Sequence, residues 1–399
     1  MIQNFRKSLI VACWFVFLTA PLILISVDYI EGTIQWRWSN LIWMGLATFI
    51  LSMVWRYFLE IKESLGSLKM NSNGKKTFDF AVLVTLKFRN PVIARILFSC
   101  LWVLPLFLPT YHTSIFVTTM MYIILGLGLN IVVGMAGLLD LGYVAFYAVG
   151  AYLFALLHMH FQIGFWTALP LAGLTAALLG ILLGIPVLRL RGDYLAIVTL
   201  GFGEIIRLVL ENWGDVTGGP GGIPDLPQPG LFGIDFDFQS SMIYFYYIVL
   251  VFMIFAIIVT QRLQKSRIGR AWTALREDEI ACEAMGVDTT KTKLTAFALG
   301  AFWAGLVGVF VAAKGSFINP ASFTFHESAI ILSIVVLGGM GSILGVIIAA
   351  FLLILLPEYL RFLSEYRMLL FGATMVVMMV FRPQGLIHRV KRSYKLRDK

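Results

Sequence analysis

Charge is what this sequence has least of. Only 13% of its 399 residues are Asp, Glu, Lys or Arg, 59% are hydrophobic, and the mean hydropathy is +0.86. A soluble domain carries about a quarter of its residues charged, to wet its surface. Half that share excludes an ordinary water-soluble fold. Cysteine is scarce as well. Cys13, Cys100 and Cys282 have no CxxC spacing, so they supply neither a disulfide framework nor a thiolate metal centre. No GxxxxGK[ST] loop is present. The GKKT run at 74–77 lacks the upstream glycine and the order a phosphate cradle needs, which excludes ATP hydrolysis by that route. There is no HExxH, and His112, His158, His160, His326 and His388 do not fall at metal-ligand spacing. There is no GxSxG for a serine nucleophile. The expectation is a chain with no catalytic residues, no metal and no cofactor.

What the chain does have is long continuous apolar runs, such as IFVTTMMYIILGLGLNIVVG at 115–134. Runs of about 20 apolar residues let a helix cross about 30 Å of hydrocarbon with its backbone polar groups satisfied. A membrane β-barrel would alternate polar and apolar residues over strands of about 10 residues instead. The fold class is therefore all-α, a polytopic transmembrane helical bundle. Its apolar segments fall at 9–27, 41–59, 92–110, 114–134, 141–158, 165–188, 194–211, 241–261, 293–313, 328–338, 343–357 and 368–381. Several are short or glycine-rich, which suits broken or re-entrant helices. The first follows Arg6 and Lys7 like a signal peptide. At 19 residues it is long enough to span, and Pro21 follows the one small-residue cleavage candidate, Ala20, so it reads as a retained helix.

The net charge of +9 sits in short blocks between apolar runs. That distribution marks topology rather than nucleic-acid binding. Loops 60–91 and 262–292 and the tail 382–399 carry the Lys and Arg, whereas 213–240 holds Asp215, Asp225, Asp235 and Asp237 and no basic residue. The positive-inside rule puts the basic loops and both termini in the cytoplasm and the acidic loop outside. Residues 1–91 form an N-terminal extension of two helices plus a linker; 92–399 form the core.

Three stretches carry chemistry. Residues 126–157 crowd Gly126, Gly128, Gly134, Gly137, Gly142 and Gly150 around Asn130 and Asp140. Such glycines either pack helices closely or line a broken-helix substrate path. Asn130 is the deeper polar residue, and Asp140 reads as a short turn at an interface. In 188–225, Glu204, Arg207 and Glu211 share one helical face, as an internal ion-pair ladder or as charges facing a path. The following VTGGPGGIPD ends the helix in an outward loop. Residues 266–297 hold the longest polar, helix-compatible segment of the core. ALREDEIACEAMG reads as one short amphipathic helix ending at Gly286, able to seat in another protein's groove.

The strings PVLRLRGDYLAIVTLGFGEIIRLVLEN, GRAWTALREDEIACEAMGVD, FTFHESAIILSIVVLGGMGS and FRPQGL, together with the 126–157 stretch, resemble LivM-type permeases of the high-affinity branched-chain amino acid ABC importers. The resemblance covers most of 92–389. It implies a permease in a bacterial cytoplasmic membrane, importing Leu, Ile and Val with a sister permease of LivH type, two ATP-binding subunits and a periplasmic substrate-binding protein. It also implies that 272–286 is the element coupled to the ATPases, with Arg276, Glu277, Asp278, Glu279, Ala281 and Gly286 as its residues. Asn130, Gly134, Gly137, Glu204 and Gly339 are the residues expected along the substrate path. An ion-driven secondary transporter is the competing reading, and would need paired intramembrane acids.

Overall fold

In a computed structural model the chain is described at residues 25–28, 33–36, 101–187, 190, 192–230, 238–359, 372, 376 and 385–387. The apolar segment 41–59, the linker 60–91 with its boundary at 91/92, and nearly all of 368–381 and the basic tail lie outside these residues, as does most of 9–27. Contacts divide the chain into two units, Met1–Asp79 and Phe80–Lys399.

The first unit shows an antiparallel hairpin, β1 (Ile25–Asp28) and β2 (Thr33–Trp36), with Ile25 opposite Trp36 and Asp28 opposite Thr33. The end of the expected 9–27 helix is thus extended. The backbone register pairs Ile25 with Trp36 and Val27 with Ile34, and β-branched and aromatic residues favour extended backbone.

The second unit is helical. Among the described residues its longer elements are α1 (Thr110–Leu129), a π-helical turn (Asn130–Met135), α2 (Val144–Phe161), α3 (Phe165–Val187), α4 (Asp193–Asn212), α5 (Phe238–Lys265), α6 (Arg267–Glu277), α7 (Glu279–Ala284), α8 (Thr289–Gly315), α9 (Phe325–Gly338) and α10 (Ile343–Tyr359). Eight of these follow apolar segments legible in the sequence. Among the described residues six helices are long and apolar enough to cross a membrane. The faces of α3 and α5 carry exposed Leu174, Leu178, Leu182, Val251, Phe255 and Ile258. An apolar surface of that extent suits lipid.

Helix α8 sits at the centre, packed against α3, α2 and α1. Small residues make the approach possible. A Cβ built at Gly305 would stand 2.5 Å from the Ala172 carbonyl oxygen, and one at Gly300 would stand 2.5 Å from Val132. With little hydrophobic drive between helices in lipid, such close backbone contact supplies the association. The two ends of α8 mark the two ends of the bundle. It begins beside α6 and α7, and beyond its other end Ile318 pairs with Ile223 of the glycine-rich loop.

Candidate coupling site and substrate path

The π-turn ends α1 by a glycine device. Ala136 N–H donates to Ile131 O, and Leu138 N–H donates back to Val132 O at 3.1 Å while Gly137 takes φ +75°. That left-handed cap suits glycine, since a side chain there strains against the backbone. Wide π-turns expose a backbone carbonyl that an α-helix would use, and they recur at functional sites. Here the helix ends, leaving Gly134 O among the last carbonyls with no intrahelical donor, and it accepts from Arg276 Nη1 at 2.6 Å. Asn130, fully buried, accepts at Oδ1 from Gly341 N at 2.8 Å. Gln264 Nε2 donates to Gly341 O at 2.7 Å. The Gly339–Gly341 turn between α9 and α10, with Gly339 at φ +105°, is therefore held on both sides. The Gly385–Ile387 segment closes it, Leu386 and Ile387 N–H groups donating to Leu337 O and Gly338 O.

Four of the expected path residues thus meet at one place. Asn130 and Gly134 belong to the π-turn, Gly137 to the cap that ends it, and Gly339 to the turn packed on it. Gly134 has no room for a side chain, since a Cβ there would lie 2.6 Å from Gly341 N and closer still to Asn130 Oδ1. Glu204 lies apart, on α4, where it accepts from Arg207 Nε at 2.8 Å while Arg207 Nη1 reaches Glu211 at 2.7 Å. Asp140 is in a turn, as expected, but fully buried rather than at an interface. Its Oδ1 accepts from Gly142 N at 2.9 Å, and its Oδ2 has no partner among the described residues.

The polar segment forms two helices rather than one. Asp278 breaks the run with extended backbone (φ −159°, ψ 114°), and its carboxylate caps α7 by accepting from Ile280 N and Ala281 N. Aspartate's preference for capping over helix interiors is the physical reason. Trp272, fully buried, and Lys293 fasten the hairpin to α8. Trp272 Nε1 donates to Thr292 O at 2.9 Å, and Lys293 Nζ to Glu279 Oε1 at 2.7 Å. Asp288 caps α8, and the Lys291 N–H and ammonium hold its carboxyl below the usual range. Outward, α7 presents Ile280, 67% exposed, Met285, 83% exposed, and exposed Ala281 and Gly286. Apolar tips on an otherwise polar hairpin form a surface suited to a partner's groove. Glu277, also exposed, stands at the α6 terminus.

A further cluster went unnoticed in the sequence. Between α1, α9 and α10 lies a half-open cleft of about 230 Å³, lined by Tyr122, Glu327, Glu358 and aliphatic side chains. No spacing along the chain could reveal it, because its partners stand about 200 residues apart.

A central glycine-packed helix, six helices long and apolar enough to span among the described residues, and a polar hairpin at one end describe a polytopic helical membrane protein. The family whose profile matches residues 111–379 is described as "Branched-chain amino acid transport system / permease component". The high-affinity branched-chain amino acid transport system permease protein LivM of Escherichia coli (strain K12) is 48% identical over 79% of this chain and 78% of its own length. A probable LivM of Methanocaldococcus jannaschii is 27% identical over 67% of this chain and 90% of its own. The LivH permease of E. coli is 24% identical over 67% and 91%. No solved structure matches. The chain belongs to the branched-chain amino acid transport system permease family.

Proposed function

We propose that this chain is a membrane-spanning permease subunit of an ATP-driven importer of branched-chain amino acids in a bacterial cytoplasmic membrane. Its sister is a permease of LivH type, and two ATP-binding subunits and a periplasmic substrate-binding protein complete the complex. The observation that carries this is the 48% identity to LivM across four-fifths of the chain. The absence of a phosphate loop in the sequence agrees with an engine held by other subunits. The basic residues Arg262 and Lys265 before the α6–α7 hairpin and Arg267 and Arg270 within α6 favour a cytoplasmic position for it and for the termini.

In this reading ATP-driven closure of the partner subunits pushes on Ile280, Ala281 and Met285. The hairpin, pinned to α8 by Trp272 and Glu279 and to the π-turn by Arg276, moves with that push. The Asn130–Gly134–Gly137–Gly339 junction then switches between two packings, opening one end of the path as the other closes. Uptake of labelled leucine into proteoliposomes tests the proposal. The full complex with its binding protein accumulates leucine on ATP addition; accumulation by this chain alone, driven by an ion gradient, would instead establish a secondary transporter.

A further inference from the structure

The cleft between α1, α9 and α10 combines groups that hydrocarbon-buried surfaces avoid. Glu327, in the first turn of α9, accepts from Tyr122 Oη at 2.5 Å. Tyr122 lies twelve residues into a helix rising 1.5 Å per residue, about 18 Å from its Thr110 end. A carboxylate set among apolar spanning helices is costly and marks a path or a partner charge. Glu358, near the end of α10, accepts from Tyr111 Oη near the start of α1, placing a second carboxylate closer to the mouth. A cation stands just behind the wall: Lys314 Nζ donates to Ser114 O at 3.0 Å and to Thr118 Oγ1 at 2.5 Å, and Thr118 lines the cleft. The remaining lining is His326, Pro357 and the branched aliphatic Ile115, Ile330, Leu353 and Ile354.

We infer that this cleft is a transit site for a small zwitterionic, aliphatic amino acid, with Glu327 accepting its ammonium group, the Thr118–Lys314 side drawing its carboxylate, and the isoleucine–leucine wall taking its side chain. The inference rests on the proposed import of branched-chain amino acids and adds to it the groups in this chain that touch the substrate. The chemistry is direct. An ammonium group leaving water loses several hydrogen bonds, and a carboxylate restores the strongest of them. Phenol donors from Tyr111 and Tyr122 orient the two carboxylates, and each carboxylate keeps further acceptor positions for the ligand. A site of this kind must release as readily as it binds, which a single carboxylate achieves better than a closed cage.

The test uses the full complex in proteoliposomes, with Cys13, Cys100 and Cys282 replaced by serine and Ile330→Cys introduced as a reporter of the cleft. Leucine slows thiol-reagent labelling at position 330 at least threefold; 4-methyl-2-oxopentanoate, which has the same side chain and carboxylate but no ammonium, does not. Glu327→Gln abolishes the protection and lowers leucine uptake at least tenfold, with subunits co-purifying and ATP hydrolysis still stimulated by the binding protein. Glu327→Asp, which keeps the charge, retains protection. Equal protection by both compounds, or full uptake with Glu327→Gln, overturns the assignment while import itself stands. A parent complex that accumulates no leucine would overturn the proposed function, and this site with it.

Discussion

The guanidinium of Arg276 ends on the carbonyl oxygen of Gly134, 2.6 Å away and 142 residues earlier in the chain. One side chain of the polar hairpin thereby completes the backbone of a transmembrane helix at the point where that helix abandons α geometry. The family resemblance implies that Arg276 meets an ATP-binding partner; in the structure the residue stays exposed while its guanidinium reaches Gly134 O, and Ile280 and Met285 are exposed beyond it.

Removing that link separates hydrolysis from transport. Arg276→Ala is expected to lower leucine uptake at least tenfold while the complex assembles and hydrolyses ATP, because the docking residues stay intact and the π-turn no longer follows the hairpin. A charged hydrogen bond contributes about 1.5–3 kcal/mol, the scale of a ten- to hundredfold effect. Arg276→Lys recovers part of the loss, since an ammonium supplies the charge without the planar fork. The ratio of leucine moved to ATP hydrolysed is the measurement. An unchanged ratio in Arg276→Ala means that the hydrogen bond does not couple.

Two glycines with almost the same backbone conformation give opposite expectations. Gly137 takes φ +75° and Gly286 φ +80°, so a side chain at either adopts the left-handed region at about 1–2 kcal/mol. At Gly137 a Cβ would also lie 2.7 Å from Arg276 Cγ, whereas Gly286 has open space. Asparagine tolerates left-handed geometry better than other residues. Gly286→Asn is therefore expected to leave the melting temperature of the complex close to the parent's, and Gly137→Asn to lower it and to lose most of the uptake. Equal effects at the two positions would show that contact with Arg276 is immaterial.

The spans were legible because lipid imposes one rule on them: about 20 apolar residues in succession. α8 was expected at 293–313 and runs from Thr289 to Gly315; α3 was expected at 165–188 and runs from Phe165 to Val187. Breaks were harder. Nothing local distinguishes Asn130–Met135 from a plain helix, since its π geometry answers to Arg276 and Gly341, both remote in sequence. The break at Asp278 was readable in principle, as an aspartate placed where it caps the following turn, but good helix formers on both sides hid it. Asp140 looked like a solvated turn because a lone acid beside glycines usually is one; only packing against α4, where Leu141 N–H meets Thr199 Oγ1, buries it. Of the path, the glycine and asparagine junction was marked by composition. Glu327 was not, since a single acid at the head of an apolar run reads as a helix start.

The ion pair between Lys293 and Glu279 tests how firmly the hairpin is joined to the bundle. Their side chains are 4% and 23% exposed, and the charged atoms are 2.7 Å apart. Burying an ammonium is tolerable when a carboxylate faces it, and removing one partner of such a pair costs about 3–5 kcal/mol, more than the pair itself contributes. Glu279→Ala should accordingly lower the melting temperature of the purified complex by several degrees, with a smaller loss for Glu279→Gln, which keeps an acceptor oxygen. Replacing both residues, Glu279→Ala with Lys293→Met, should return most of the lost stability, because a flexible apolar side chain of similar length fills the space without a charge to satisfy. Stability and transport then part company. The double variant is stable yet lacks the charged link between α7 and α8, so its leucine-to-ATP ratio stays below the parent value. If the double variant is no more stable than Glu279→Ala, the cost lies in lost packing around Glu279 and not in the ammonium left behind.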